Sequence, residues 1–117
     1  MRLIIIILFS ILFSFSCSKK KKEVKIPDDI MPKDSMVMVI KEVHLVEAAI
    51  FMQQQQGLNQ DKRLVKQYYN HLFTTLDVDL NHFKKSVKFY SFNPIEMEKI
   101  YGEVVEELSL LESEVGN

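Results

Sequence analysis

Cys17 is the only cysteine in the chain, and it stands where an apolar run ends and a run of lysines begins. No intrachain disulfide can brace the fold, so the folded part must be held by apolar burial. The residues before Cys17 read as a targeting segment. Met1-Arg2 is a short positive start, Leu3–Phe15 is apolar apart from Ser10 and Ser14, and Ser16 precedes the cysteine. An apolar core of about 7–15 residues ending at a small residue is a secretory signal pattern. The uncharged stretch Leu3–Ser18 falls short of the roughly 20 residues that span a bilayer as a helix. Residues 1–16 are therefore expected to form a signal peptide.

A plainly secreted chain needs no cysteine at its cut. A lipoprotein does, because the thiol carries the diacylglyceryl group. Ser14-Phe15-Ser16-Cys17 fits that box in relaxed form, with Ser14 where leucine is usual and Phe15 bulky. Cys17 is expected to be lipidated, palmitate being the label that would report it. An uncleaved signal anchor and plain secretion are the other readings of this segment. A single acyl chain gives marginal membrane binding at about 0.8 kcal/mol per buried CH₂, and a second makes it stable. Lys19 to Lys22 and Lys25 would then lie beside the headgroups, or simply keep the tether soluble. Ser18 after the cysteine does not retain a lipoprotein in the inner membrane, so the outer membrane is expected, and a lysine run without the acidic residues that mark surface export points to the periplasm-facing side.

Arg2 is the only charge before Cys17, which leaves fourteen basic and sixteen acidic side chains in the remainder. Nucleic-acid binding rests on phosphate neutralisation by a basic excess, and none exists here. Lys84, Lys85 and Lys88 beside Phe89, Tyr90 and Phe92 read as a solvated face rather than a nucleic-acid patch.

Residues 17–31 carry no apolar period and read as the lipidated cysteine and a lysine-rich tether. Residues 32–117 read as one all-α domain, a bundle of about four helices. The first is expected to open at Pro32, with Asp34 in its first turn, and to run to about Gln55 before Gly57. Met36, Ile40, Val43, Ile50 and Phe51 make its apolar face, widened by Val39 and Val46. The second spans about Asp61 to Leu76, with Leu64, Val65, Tyr68, Tyr69, Leu72, Phe73 and Leu76 in helical register. Asp79 caps the third, with Val78 and Phe83 placed as a hydrophobic staple. Phe83, Val87 and Tyr90 share one face of it, and Ser86 allows close approach. Asn93, Pro94 and Glu96 predict a capping box at the fourth helix. Its stripe is Met97, Ile100, Tyr101, Val104, Leu108, Leu111 and Val115. Gly102 interrupts that helix at about 1 kcal/mol relative to alanine, for which close contact with a neighbouring helix is the expected reason.

Chemistry-bearing residues are few. Glu42, His44 and Glu47 form the one constellation with an acid–base or metal flavour. Glu42 and His44 diverge by roughly 160° on a helix, whereas His44 and Glu47 are three apart and share a side. Two donors make no zinc site, and His71 and His82 would complete one only if the fold brought them close. No metal or cofactor is expected. Glu47 falls inside the apolar stripe, so it is expected to be buried and paired, a ligand-contacting role and simple exposure at the stripe's edge being the other readings. Tyr68, Tyr69, Tyr90 and Tyr101 are candidate donors to it and Arg63 a candidate counter-charge. No nucleophile motif or phosphate loop is present, and the domain is not expected to be an enzyme.

Several features occur in a fixed order. Pro32 precedes a Met-rich helix, then come Glu42-Val43-His44-Leu45-Val46-Glu47-Ala48 and the pair Tyr68-Tyr69. Phe83-x-x-Ser86-x-x-x-Tyr90 leads into Asn93-Pro94, and Ile100-Tyr101 precedes Val104. In this order, over about residues 27–112, the chain resembles the bacterial lipoprotein family known as domain-of-unknown-function family 4296. The resemblance implies a small helical domain behind a lipobox in a Gram-negative bacterium and brings no activity with it. Three functional readings stay open. The first is a lipid-anchored interaction or accessory domain with a protein partner in the envelope. The second is a small-ligand or metal-binding lipoprotein using Glu47 and His44. The third is a chaperone-like helical module.

Overall fold

The computed structural model describes residues 23–57 and 61–116. The signal peptide, Cys17 and Lys19 to Lys22 lie outside the described residues. Four helices form: α1 Lys33–Gln55, α2 Lys62–Thr75, α3 Leu80–Ser91 and α4 Pro94–Val115. No strand occurs among the described residues.

The helix ends follow local chemistry. Asp61 caps α2 by accepting from the Arg63 amide at 2.9 Å, and Asp79 caps α3 by accepting from the His82 amide at 2.7 Å. Pro32 sits at the N-cap of α1, one position outside the expected start. The end of α2 is a Schellman turn: the Val78 amide donates to the Phe73 carbonyl and the Asp77 amide to the Thr74 carbonyl. That turn puts Asp77 at φ +52°, a left-handed conformation that a short polar side chain tolerates. The expected capping box at α4 is absent. Asn93 turns away and donates to the Phe89 carbonyl at 2.8 Å, closing the end of α3 instead.

Three long helices stand side by side. α1 and α2 are antiparallel: Glu47 meets Tyr69 and, further along α1, Gln53 meets the earlier Tyr68. α1 and α4 run the same way, since Lys33 pairs with Glu96 and Lys41 with Glu107. α3 closes one end, which we call the base. Its Phe83 ring lies 5.4 Å from that of Phe73 on α2, and its Tyr90 reaches Met31 before α1.

The core lies at that base. It consists of Ile30, Met31, Met36, Val37, Val39, Ile40, Phe73, Tyr90, Ile100 and Val104, with Phe83, Val87, Met97 and Leu108 packed around it. Most come from the first half of α1, the last half of α2, the adjoining α3 and the first half of α4; Ile30 and Met31 come from the segment before α1, and Leu108 from past the midpoint of α4. Beyond the core the far ends of α1 and α4 leave several large apolar side chains exposed. Phe51, expected in the core, is 57% exposed, and Val115 is 80% exposed.

The tether expected through residue 31 ends sooner. Ile30 and Met31 are buried, the Ile30 amide closes a turn on the Pro27 carbonyl, and Met31 is held at both backbone groups by α3. An apolar pair outside any periodic run gave no sign that α3 would receive it.

Gly102 also departs from expectation. A β-carbon there would meet nothing within 4 Å, so no neighbouring helix requires the glycine. Gly102→Ala is therefore expected to stabilise the domain by up to about 1 kcal/mol through helix propensity alone. Urea unfolding should show a raised midpoint with an unchanged slope.

Candidate functional site

His44 and Glu47 come together as their spacing required. His44 Nδ1 lies 3.3 Å from Glu47 Oε2, and the Tyr69 hydroxyl donates to Glu47 Oε1 at 3.3 Å. The His44 ring also packs at a tilt against Tyr101, centroids 6.3 Å apart. Of the four candidate tyrosines, only Tyr69 donates to Glu47. Its own ionisation is pushed up, first by burial and then by the carboxylate beside it.

Glu47 is not buried. Its side chain is 51% exposed, which corrects the expectation of a buried polar anchor. The reason is axial position. Glu47 does share a side with Met36 and Ile40, but those two sit at the base, where α3 and α4 cover them. Further along α1, Glu47 meets Tyr69 of α2 and the neighbouring His44, and half of its side chain stays in water. Arg63 does not serve it, pairing instead with Asp61 two residues away. Glu42 does not join His44 and Glu47. It is half-buried beside Lys41, whose amine is held protonated chiefly by its hydrogen bond to Glu107, against a desolvation penalty.

Glu47, Ile50, Phe51, Gln54, Lys62, Val65 and Tyr69 border an open cleft of about 560 Å³ between α1 and α2. No group of three or more His, Cys, Asp or Glu residues is placed to hold a metal ion among the described residues. His71 and His82 are both exposed and do not converge on His44 and Glu47. Because Glu47 is exposed and bonded weakly, Glu47→Gln is expected to shift stability by less than about 0.5 kcal/mol. Thermal melting checks this, and a larger loss would restore the buried-anchor view.

The buried carboxylate is Glu96, which residue patterning assigned to a cap. It is 2% exposed and sits between Lys33 of α1 and Lys99 one turn further along α4. Its i,i+3 spacing to Lys99 was a legible signal; its pairing with Lys33 was not. The two ammonium groups hold its pKa below the ordinary carboxylate range, Lys33 contributing most, and desolvation opposes them. A carboxyl with a lowered folded-state pKa adds stability above its unfolded pKa of about 4.3 and loses it as pH falls. Wild-type stability should therefore drop on acidification below about pH 4.3, and Glu96→Gln should flatten that dependence. Unfolding midpoints measured between pH 3 and pH 7 check it; parallel curves for the two proteins would remove Glu96 from the account.

No curated protein and no solved structure matches this chain. One family profile does, over residues 27–114. It begins at Pro27, in the turn whose following residues dock on α3, so the matched unit and the packed unit share a starting point. That match covers most of the chain, including α1 to α3 and all but the last residue of α4: the protein belongs to the domain-of-unknown-function family DUF4296.

Proposed function

We propose that this protein is a lipid-anchored, non-catalytic binding module of the cell envelope, held by acylated Cys17 at the outer membrane with its domain on the periplasmic side. Its partner is another protein, presenting an amphipathic helix with basic flanks. The observation that carries the reading is the uncovered far end. Phe51 and Met52 on α1 are 57% and 62% exposed, and Leu110 and Val115 on α4 are 60% and 80% exposed. Several large apolar side chains exposed toward one end of a fold mark an interaction site more readily than a single one does. Parallel apolar faces on two helices suit a third helix laid against them. Beyond Lys99, α4 carries Glu103, Glu106, Glu107, Glu112 and Glu114 and no basic residue, which favours a basic partner.

The polarity of the fold supports the same reading. The tether enters at the base, and Phe51 lies about 27 Å along the helix axis from Lys33. The apolar end thus faces away from the anchor, toward soluble partners.

A photoreactive residue at Met52 or Val115 should crosslink to one envelope protein in living cells, and one at Lys66 should not. Phe51→Ser with Met52→Ser should abolish the crosslink while palmitate uptake at Cys17 continues. Labelling of Lys66 as strongly as Val115, or absence of palmitate, would defeat the reading.

A second reading has the cleft over Glu47 in its favour, since its size suits a small apolar ligand with a cationic end. His44 and Tyr69 already engage that carboxylate, which weighs against it.

A further inference from the structure

The base of the fold carries an apolar corner that the interaction end does not explain. Phe92, the first of the two residues between α3 and α4, is 77% exposed, and Ile95 in the first turn of α4 is 50% exposed. They border one hollow with Val24 of the incoming tether. Lys88, Phe89 and Phe92 line an adjoining hollow with Pro27. Lys84 and Lys88 are exposed on the same helix, one turn apart, and Lys85 is paired with Asp29. Two large apolar side chains at a corner, with lysines on the adjoining helix and on the incoming tether, form the kind of arrangement that lies in a lipid–water boundary.

We propose that this corner docks on the bilayer surface, with Phe92 and Ile95 at the level of the headgroups and Lys25, Lys84 and Lys88 against anionic lipid. The proposal rests on the lipid anchor at Cys17 and deepens it: the domain is seated on the membrane in one orientation rather than hanging from it. Chain length carries the argument. Seven residues, Ser18 to Val24, carry the chain from the cysteine into the hollow. Fully extended they reach at most about 25 Å, so the corner cannot leave the vicinity of an anchored Cys17. Four of those seven residues are lysines, and attraction of the tether to an anionic surface shortens that reach further. Seating the base on the membrane also directs the far ends of α1 and α4 away from it.

The chain lacks tryptophan, so single substitutions report location cleanly. Phe92→Trp and, separately, Phe51→Trp are introduced into the full chain. Each is reconstituted in vesicles of phosphatidylethanolamine and phosphatidylglycerol, with and without brominated acyl chains. Far-UV circular dichroism confirms that each variant is folded. Phe92→Trp should shift its emission to shorter wavelength and lose at least half its intensity to the brominated lipid, while Phe51→Trp should change by less than a tenth. An acylated chain that floats with the vesicles but leaves Phe92→Trp unquenched overturns the docking surface and keeps the anchor, as a protein partner covering the corner would require. Equal quenching at both positions also overturns it. An unacylated chain whose Phe92→Trp is still quenched keeps the surface and overturns the anchor.

Discussion

Ile100→Ala should lower the stability of the domain by about 2–5 kcal/mol, enough to leave a substantial unfolded population at 37 °C. Ile100 is fully buried in α4, within the cluster that includes Met36, Val39 and Val104. Truncation removes three methyl or methylene groups from a site whose neighbours belong to different helices. Those helices cannot all move inward, so a cavity remains and adds to the transfer cost. The domain has few alternatives to fall back on. It has no disulfide, its core is confined to the base, and a domain of about ninety residues has a narrow margin. Ile100→Val should cost only about 0.5–1.5 kcal/mol. Phe51→Ala, which removes more atoms from an exposed site, should cost less than Ile100→Ala. Urea unfolding followed by circular dichroism orders the three. A Phe51→Ala loss as large as that of Ile100→Ala would mean that the far end is packed and would remove the surface proposed for partner binding.

That contrast marks where residue patterning stops informing. Helix ends are local events, and Asp61, Asp79 and Pro94 announced them because a side-chain acceptor or a missing amide donor acts within one turn. The face of α1 was equally legible, since Met36, Val39 and Ile40 are buried together. How far along α1 that face is covered was not legible. Coverage depends on where α2 and α4 cross it, and a helical wheel collapses the axial coordinate. Glu47 and Phe51 were misplaced for that one reason. Asn93 and Glu96 failed differently. Both had a second partner within reach, the Phe89 carbonyl for one and Lys33 for the other, and these long-range or competing bonds displaced the local cap. His44 and Glu47 met because their spacing is local, but what surrounds them is tertiary and turned Glu47 from an expected buried anchor into an exposed cleft wall.

Tyr90→Phe is the second large effect, with an expected loss of about 1–3 kcal/mol. The tyrosine is fully buried, and its hydroxyl donates to the Met31 carbonyl at 2.8 Å. Ser86, one turn earlier on α3 and also fully buried, accepts from the Met31 amide at 2.9 Å and donates to the His82 carbonyl at 2.8 Å. Met31 thus has both backbone groups satisfied by side chains of one helix, in a segment that has no regular structure of its own. Phenylalanine keeps the ring and its packing but leaves the Met31 carbonyl in an apolar site without a donor, which costs more than the bond itself contributed. Burial, aided by the nearby Glu96, pushes the ionisation of Tyr90 up, so the hydroxyl keeps its proton and the bond persists through mildly alkaline conditions. The effect should be localised as well as global. Amide exchange at Ile30 and Met31 should accelerate well beyond the change at Val39 in the middle of the core, because the pre-helical segment is released before the helices separate. Uniform acceleration at all three positions would show instead that the segment and the helices open as one unit, with Tyr90 acting through packing rather than through its bond to Met31.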